Sequence, residues 1–310
     1  MVTPGASGRR PARLRTPVRT DKAHRKETYM SEANLKAAVG FIGLGDQGAP
    51  IAQAIADGGF PLHVWARRPQ SLKVLDGYAH TAHETVAELA AASEVVALCL
   101  SEDSDTIEVA DRGGLLQNMH HGAVLVNHGT GLPQAARELA QLAAAHGVDV
   151  VDAPVSGGHA VAVARQLTTM VGGDRSAVER VTPVFETFSK SVIHVGPTGA
   201  GQYAKLFNNA LMMMNHKNAI DVLRLAEKLD LPVRPLLDVL RSGSAASFAL
   251  QAVGPSITPE NVQHLQSLEL IDMQLFTGAV EDLGSQATPV IDRATSGARE
   301  LDELTGIVGA

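Results

Sequence analysis

The chain has 310 residues, of which 45% are hydrophobic and 19% are charged, and its formal net charge is −7. This size and composition suit a globular protein with well-filled cores rather than a fibrous or wholly disordered chain. The single cysteine, Cys99, excludes a disulfide framework, and no apolar run approaches the roughly 18 residues that span a bilayer. We therefore expect a cytoplasmic protein with no membrane partner.

The N-terminal segment differs in charge from the rest of the chain. Its first 28 residues carry eight Lys or Arg residues against two acidic residues, and prolines interrupt them. Because so few apolar residues cannot build a core, residues 1–36 are predicted to be a disordered basic tail. One interpretation of this segment is a transit peptide. We favour a second interpretation, in which the sequence is given from an upstream start codon and Met30 is the working initiator. The acidic body and the lack of interleaved aromatic residues argue against a nucleic-acid partner.

A glycine-rich turn lies between an apolar strand, predicted at 37–42, and a helix in which Ile51 and Ile55 recur at helical spacing. In this order the three parts predict a dinucleotide-binding unit, with phosphates resting on N–H groups at the start of the helix. The first glycine allows a sharp turn, the second lets a pyrophosphate approach the backbone, and the third lets the helix lie close to the strand. The predicted cofactor-binding residues of the turn are Gly43, Leu44, Gly45, Asp46, Gln47 and Gly48.

Strands and helices then alternate along the chain. Further apolar strands are predicted at 61–65, 95–100, 123–127, 148–152, 167–174 and 191–196. Strands separated by helices predict an α/β fold with a doubly wound parallel Rossmann sheet, over residues 37–195. Residues 196–310 are predicted to form an all-helical C-terminal domain. Its first helix, predicted at 199–229, has a wide apolar stripe that needs a cover, so we expect a homodimer or homotetramer.

The residues after the second predicted strand bear on which dinucleotide is bound. An acidic residue there would bind the 2′-hydroxyl of NAD, but this chain has Arg67 and Arg68. Because two guanidinium groups suit a 2′-phosphate, NADP is predicted in preference to NAD. Leu100, at the end of the next predicted strand, is also among the predicted cofactor-binding residues. No metal is expected, because neither close group of histidines has a full ligand set, and the histidines are expected at the surface.

Four sequence blocks, found together and in order, resemble those of the β-hydroxyacid dehydrogenases. This family includes 3-hydroxyisobutyrate dehydrogenase and 2-hydroxy-3-oxopropionate reductase, and the resemblance covers about residues 38–290. The blocks are Gly40-Phe41-Ile42-Gly43-Leu44-Gly45-x-x-Gly48, Asn127-His128-Gly129-Thr130, Asp152-Ala153-Pro154-Val155-Ser156-Gly157-Gly158 and Gly199-x-Gly201-x-x-x-Lys205-x-x-Asn208-Asn209.

The resemblance implies roles for individual residues. Lys205 matches the general acid/base, and Asn209 matches a residue that orients the reacting oxygen. The loop Ser156-Gly157-Gly158 matches the substrate loop, and Thr130 matches a residue beside both the nicotinamide and the substrate. The implied activity is NAD(P)-dependent hydride transfer between a small β-hydroxy acid and its semialdehyde, with a small molecule as the partner.

Three departures from the family pattern leave other functions open. Val161 and Arg165 stand where glycines are usual, and Ile271 replaces a lysine that reaches the cofactor and substrate. Arg165 either adds a cation for an acidic substrate or is simply solvated. The alternatives are an imine or other carbonyl reductase of the same fold, and a non-catalytic NADP-binding protein.

Overall fold

The computed structural model describes residues 36–309, so the predicted disorder of the basic tail lies outside the described residues. Within this range nine strands join in one sheet. The strands are β1 Val39–Ile42, β2 Leu62–Trp65, β3 Thr81–Ala82, β4 Val95–Leu98, β5 Val124–Asn127, β6 Asp149–Asp152, β7 Val155–Ser156, β8 Leu167–Gly172 and β9 Ser189–Gly196. Each predicted strand is present, although β4 ends before Cys99 and Leu100.

Helices connect the strands and form the remainder of the described chain. They are α1 Gly48–Asp57, α2 Val86–Ala91, α3 Asp103–Ile107, α4 Leu115–Asn118, α5 Pro133–Ala144, α6 Gly158–Val163, α7 Arg175–Phe185, α8 Ala200–Lys228, α9 Val233–Ser242, α10 Phe248–Ala252, α11 Val262–Ala279, α12 Thr288–Arg299 and α13 Leu301–Gly309. Two 3-10 helices, Pro69–Leu75 and Glu281–Gln286, and a π-helical turn, Glu108–Arg112, complete the set. No helix of this described range has the length and apolarity needed to cross a membrane.

The order of the strands creates a crevice beside β1. The sheet order is β3-β2-β1-β4-β5-β6-β8-β7, and β9 pairs with β8. Strand β1 is parallel to both β2 and β4, so the chain leaves β1 on one side and returns on the other. In open α/β sheets, ligands bind at such a switch point, outside the carboxyl ends of the strands. The glycine turn begins at this end of β1.

The alternation of side chains along each strand explains the double winding. Phe41 packs in one core cluster with Ile51 and Ile55 of α1, whereas its neighbour Ile42 packs in a second cluster with Leu89 of α2. Because successive strand residues point to opposite faces, a strand that is apolar throughout needs helices on both sides. The predicted Rossmann architecture, with helices following the sheet, is confirmed. The division at residues 195 and 196 into two domains stays a prediction.

The sheet departs from the predicted all-parallel arrangement at one edge. Strand β8 runs antiparallel to β6 and β7, with Val155 opposite Thr169 and Ser156 opposite Thr168. Only ten residues separate β7 from β8, and they contain the single short helix α6. So short a connection returns the chain along the neighbouring strand instead of carrying it over the sheet to a parallel position.

The long helix α8 packs against α11 and α12, and only part of its predicted apolar stripe is buried. Leu206 and Ala210 lie in a core cluster with Met273 and Phe276 of α11. The other half of the stripe is exposed, so the packing within one chain does not bury all of the apolar side chains of α8. Its exposed members are Phe207, Leu211, Val222, Leu225 and Leu229.

Two histidines contradict the expectation that histidines lie at the surface. His128 and His216 are 3% and 1% exposed. The His128 ring lies edge-on to Phe185 and Phe188, and its Nδ1 is 2.7 Å from the carbonyl oxygen of Ala153. Burial lowers the pKa of both histidines from 6.5 to about 4. Both side chains are therefore neutral core residues at neutral pH.

These buried histidines predict a loss of stability in acid. Below pH 6.5 the unfolded chain binds protons at His128 and His216, whereas the folded chain binds them only near pH 4. As the pH falls across that range, each of the two histidines therefore lowers the free energy of unfolding by up to about 1.4 kcal/mol per pH unit. Urea unfolding between pH 7 and pH 4.5 should show a smaller slope for His128→Asn than for wild type.

The exposed residue His264 supplies the matched control for this measurement. His264→Asn should retain the wild-type slope of unfolding free energy against pH. If His128→Asn and His264→Asn changed the slope equally, burial of His128 would not be its cause.

Candidate active site

The glycine turn after β1 is shaped by close backbone contacts. Gly43 has a φ of +105°, and a Cβ on it would lie 2.2 Å from the carbonyl oxygen of Cys99. A Cβ on Gly48 would lie 1.8 Å from the carbonyl oxygen of Gly43. At Gly45, by contrast, a Cβ would meet nothing within 4 Å. The turn is thus closed against β1 and β4 and open at Gly45, which fits the approach of a pyrophosphate to the backbone.

Residues after β4 and β5 lie beside this turn. A Cβ on Gly43 would meet the Leu100 side chain at 3.2 Å, and a Cβ on Gly129 would lie 2.5 Å from the Leu100 carbonyl oxygen. Leu100 therefore separates the glycine turn from the loop that carries Thr130. Thr130 is half-buried in that loop. The predicted residues Leu100 and Thr130 are on the same edge of the sheet as Gly43.

A carboxylate at the end of β6 fixes the start of α8. Asp152 is fully buried, and its two carboxylate oxygens accept hydrogen bonds from the N–H groups of Gly199, at 2.7 Å, and Gln202, at 2.9 Å. Burial raises the pKa of Asp152, and these hydrogen bonds oppose that rise. A Cβ on Gly201 would lie 2.5 Å from the Asp152 carbonyl oxygen, so glycine is needed for this approach. The helix is thereby attached to the sheet just before Lys205.

The side chain of Gln202 holds the Thr130 loop against α8. Its Oε1 accepts a hydrogen bond from the N–H of Gly131 at 2.9 Å, and its Nε2 donates to the carbonyl oxygen of Gly129 at 2.8 Å. Gln202 is 1% exposed, so both bonds are shielded from water. Thr130 therefore lies between two residues that are anchored to Gln202, which precedes Lys205 by three residues on α8.

Lys205 and Asn209 lie four residues apart on one face of α8. Asn209 donates a hydrogen bond to the carboxylate of Asp272 on α11, and its Oδ1 accepts one from Asn208 at 3.0 Å. Asn208 also donates to Ser156 at 3.4 Å. Within residues 36–309, the side chain of Lys205 forms no hydrogen bond or ion pair. A polar chain therefore runs from the predicted substrate loop across α8 to α11, with Lys205 beside it.

Two carboxyl groups of α11 lie within electrostatic reach of Lys205. Burial raises the pKa of Asp272, while Lys205 and the hydrogen bond from Asn209 lower it. Burial and the charge of Asp272 raise the pKa of Glu269 to about 7, against the opposing effect of Lys205. The Oε2 of Glu269 is buried and has no hydrogen-bond partner among the described residues.

The glycine turn and the predicted substrate loop are in direct contact. His159 follows Gly157 and Gly158, and its Nδ1 is 2.8 Å from the carbonyl oxygen of Asp46 and 3.0 Å from the Asp46 carboxylate. Gly157 and Gly158 have φ values of +142° and +77°, in the region that favours glycine. Gln47, which follows Asp46 in the turn, directly precedes α1. The predicted cofactor and substrate residues therefore converge.

The three departures from the family pattern have separate structural outcomes. Val161 packs on the loop, because a Cβ on Gly157 would lie 2.6 Å from its Cγ1. Arg165 has a φ of +58°, which explains why glycine is usual there, and it forms an ion pair with Asp57 on α1. Of the two expectations for Arg165, the solvated residue agrees with this exposed pair. Ile271 is 52% exposed and adds no charge to α11.

The remaining predicted cofactor residues lie at the edge of the sheet next to β1. Arg67 and Arg68 follow β2 and are exposed, and Trp65 at the end of β2 pairs with Ile42 at the end of β1. Burial raises the pKa of Cys99 to about 12, so its thiol is not activated as a nucleophile. Among the described residues there is no group of three or more metal-ligating side chains.

Sequence reasoning did not assign roles to Asp152, Gln202, Asp272 or Glu269. Gln202 had a readable signal, since an amide three residues before Lys205 and seven before Asn209 lies on their face of the helix. For Asp152 the only signal was its position as the first residue of a family block. No signal pointed to Glu269 and Asp272, because their position near Lys205 depends on packing between distant segments.

Two sequence models of known protein families match consecutive segments of this chain. A sequence model described as the NAD-binding domain of 6-phosphogluconate dehydrogenase matches residues 38–196. A second, described as NAD-binding of NADP-dependent 3-hydroxyisobutyrate dehydrogenase, matches residues 199–301. The fold and site thus belong to a class of dinucleotide-binding oxidoreductases.

Individual relatives narrow this class. The chain is 33% identical to NAD-dependent L-serine dehydrogenase of Pseudomonas aeruginosa and 31% identical to 3-hydroxyisobutyrate dehydrogenase of the same organism, each over 70% of this chain and 73% of the relative. The solved structure of Mycobacterium tuberculosis 3-hydroxyisobutyrate dehydrogenase with L-serine is 27% identical, with a TM-score of 0.76 over 88% of this chain and 98% of that one. The chain belongs to the β-hydroxyacid dehydrogenase family, as the resemblance predicted.

Proposed function

We propose that this protein interconverts a small β-hydroxy acid and its semialdehyde by NADP-dependent hydride transfer, with Lys205 as general acid/base. The observation that carries the proposal is the polar chain from Ser156 to Asp272, which passes Lys205 at the end of the sheet where the glycine turn opens. The relatives named for L-serine and 3-hydroxyisobutyrate support a hydroxy-acid substrate.

The chemistry of the site divides between the cofactor and the protein. When bound, the nicotinamide supplies or accepts the hydride, and the glycine turn from Gly43 to Gly48 would hold its pyrophosphate. Lys205 Nζ donates a proton to the carbonyl oxygen in reduction and removes the hydroxyl proton in oxidation. Because no described residue hydrogen-bonds to the side chain of Lys205, its Nζ is available to that oxygen.

The other polar residues of the site orient the substrate. The Nδ2 of Asn209 donates one hydrogen to Asp272, so its second hydrogen can point at the reacting oxygen. The Ser156 hydroxyl and the backbone N–H groups of Gly157 and Gly158 suit a carboxylate, since the two glycines carry no Cβ, and a Cβ on Gly158 would meet nothing within 4 Å. Thr130, fixed by the bonds of Gln202, lies beside the nicotinamide in this proposal.

A lysine substitution tests the general acid/base. Lys205→Ala should lower the rate of NADPH oxidation by short semialdehydes by roughly 100- to 10,000-fold, the usual contribution of a positioned acid/base. NADPH should still bind, because the glycine turn is unchanged. Steady-state absorbance at the nicotinamide band and fluorescence titration measure the two properties.

Lys228→Ala is the control for this experiment, since Lys228 is an exposed lysine in the last turn of the same helix. It should retain wild-type turnover. Wild-type protein that binds NADPH but oxidises it with no semialdehyde would contradict the proposal and favour an imine reductase or a non-catalytic NADP-binding protein.

A second substitution tests the preference for NADP over NAD. Arg67 and Arg68 follow β2 beside the glycine turn, where the adenosine ribose would lie. Replacing both with Ala should weaken NADPH binding roughly 10- to 100-fold, the loss of one or two charge-assisted hydrogen bonds, and change NADH binding little. Fluorescence titration with each cofactor measures this difference.

The exposed arginine at the start of α7, Arg175, provides the matched control. Arg175→Ala should leave both affinities unchanged. If the double variant lost affinity for NADPH and NADH equally, the two arginines would not be the residues that recognise the 2′-phosphate.

We also propose that a second copy of the chain covers the exposed apolar face of α8. The exposed residues of this face recur at helical spacing over about 33 Å of helix, which is longer than a small substrate covers; they are Phe207, Leu211, Val222, Leu225 and Leu229.

A charged substitution on this face tests the assembly. Leu225→Asp should convert a dimer or tetramer to smaller species in light scattering. Val239→Asp, at an exposed position on α9, should not, and a monomeric wild type would contradict this assembly.

A further inference from the structure

One histidine joins the predicted substrate loop to the glycine turn. His159 is the second residue of α6, directly after Ser156-Gly157-Gly158, and its Nδ1 is 2.8 Å from the carbonyl oxygen of Asp46. Because a carbonyl oxygen can only accept a hydrogen bond, Nδ1 carries the hydrogen and donates it. The same Nδ1 is 3.0 Å from the Asp46 carboxylate. His159 therefore attaches α6 to a turn that lies 113 residues earlier in the chain.

The carbonyl group that His159 contacts belongs to the same peptide unit as the N–H of Gln47. Every described peptide bond is trans, so the C=O and N–H of this unit point in opposite directions. Within residues 36–309 the Gln47 N–H donates no hydrogen bond. It is one of the N–H groups of the turn that the proposed function assigns to the pyrophosphate. His159 and a phosphate oxygen would thus bind the two ends of one peptide unit.

Hydrogen bonds at the two ends of a peptide unit strengthen each other, because each polarises the group that forms the other. A phosphate oxygen that accepts from the Gln47 N–H therefore makes the Asp46 carbonyl oxygen a better acceptor for His159. By linkage the reverse also holds, so the bond from His159 raises the affinity of the turn for a pyrophosphate. Occupation of the turn is in this way transmitted to α6 and to the loop before it.

The other end of α6 is attached independently of the turn. Ala162 is fully buried in the core cluster that α6 shares with α1. Beyond the helix, Arg165 forms its ion pair with Asp57, the last residue of α1. The C-terminal end of α6 is therefore anchored whether or not the turn holds a ligand, whereas the loop end is connected to the turn through His159.

We propose that His159 is a positioning residue that couples the two halves of the site: binding of the dinucleotide pyrophosphate strengthens the bond from His159 to Asp46 and orders the Ser156 loop for the substrate carboxylate. This inference rests on the proposed function, in which the turn holds the dinucleotide and the loop holds the substrate. The coupling needs no contact between His159 and either ligand. The loop is consequently better ordered for a substrate when the cofactor is already bound.

Hydrogen exchange measured by mass spectrometry tests the coupling without a substrate. The ligand is 2′-phospho-ADP-ribose, which is NADP+ without its nicotinamide, so no nicotinamide ring can cover the loop. In wild type, saturating ligand should slow exchange at the amides of residues 43–48. It should also slow exchange at the amides of residues 157–163 by roughly 2- to 10-fold, the factor that one hydrogen bond contributes.

Two substitutions at position 159 separate the hydrogen bond from a merely structural role. His159→Leu removes the donor, so the ligand should still protect residues 43–48 but no longer slow exchange at residues 157–163. The affinity for NADPH should fall roughly 2- to 10-fold, by the same linkage. His159→Asn retains an N–H donor near the position of Nδ1 and should restore both properties. A loop that is only less stable would exchange faster with and without ligand, and its ligand-dependent difference would remain.

Asp57→Asn is the matched control, because it breaks the ion pair that attaches the opposite end of α6 to α1. This variant should keep the wild-type protection and the wild-type affinity for NADPH. Protection of residues 157–163 that persists in His159→Leu, or that is lost equally in Asp57→Asn, would overturn the inference. Protection confined to residues 43–48 in wild type would overturn it as well.

Turnover separates a failure of this inference from a failure of the proposed function. If exchange shows the coupling but wild type oxidises NADPH with no semialdehyde, the coupling stands and the proposed chemistry fails. If wild type is active and His159→Leu keeps both the protection and the wild-type KM for the semialdehyde, the coupling fails and the proposed chemistry stands. A ligand that protects neither segment would contradict both.

Discussion

The site depends on the bond between the Asp152 carboxylate and the first N–H groups of α8. Strand β6 ends at this residue, and its two oxygens bind Gly199 and Gln202 in the protein interior. Hydrogen bonds to a charged group contribute about 1.5–3 kcal/mol each, and the start of a helix is where unpaired N–H groups are available. The carboxylate thus fixes both where α8 starts and which face it turns to the edge of the sheet. Lys205 lies three residues, less than one helical turn, after Gln202.

The remaining parts of the site follow from that attachment. Gln202 holds the loop of Thr130, Asn208 reaches the loop of Ser156, and Asn209 reaches Asp272 on α11. Polar contacts therefore connect four segments that are far apart in the chain. The only positive side chain in this group is Lys205, and the carboxyl groups of α11 outnumber it. Ile271, at the position where the family resemblance implies a lysine, adds no positive charge to this group.

Much of the fold was predictable because its signals are local. An apolar strand, the glycines at 43, 45 and 48 and the helical spacing of Ile51 and Ile55 define the first unit without tertiary information. The antiparallel β8 was not predictable, because strand direction depends on how a ten-residue connection folds back. Burial of His128 also has no local signal, since it depends on two phenylalanines of α7 and the segment after it. The pairing of α8 with Glu269 and Asp272 has the same origin: contacts between distant segments decide it, and no periodicity records them.

A crystal structure of the protein with NADP+ tests the central claim most directly, because that claim concerns where α8 places Lys205. The account predicts a dinucleotide whose pyrophosphate lies over Gly45, with the nicotinamide ring between Thr130 and Lys205 and facing Ser156. A dinucleotide bound elsewhere, or one whose nicotinamide lies away from Lys205, would contradict it.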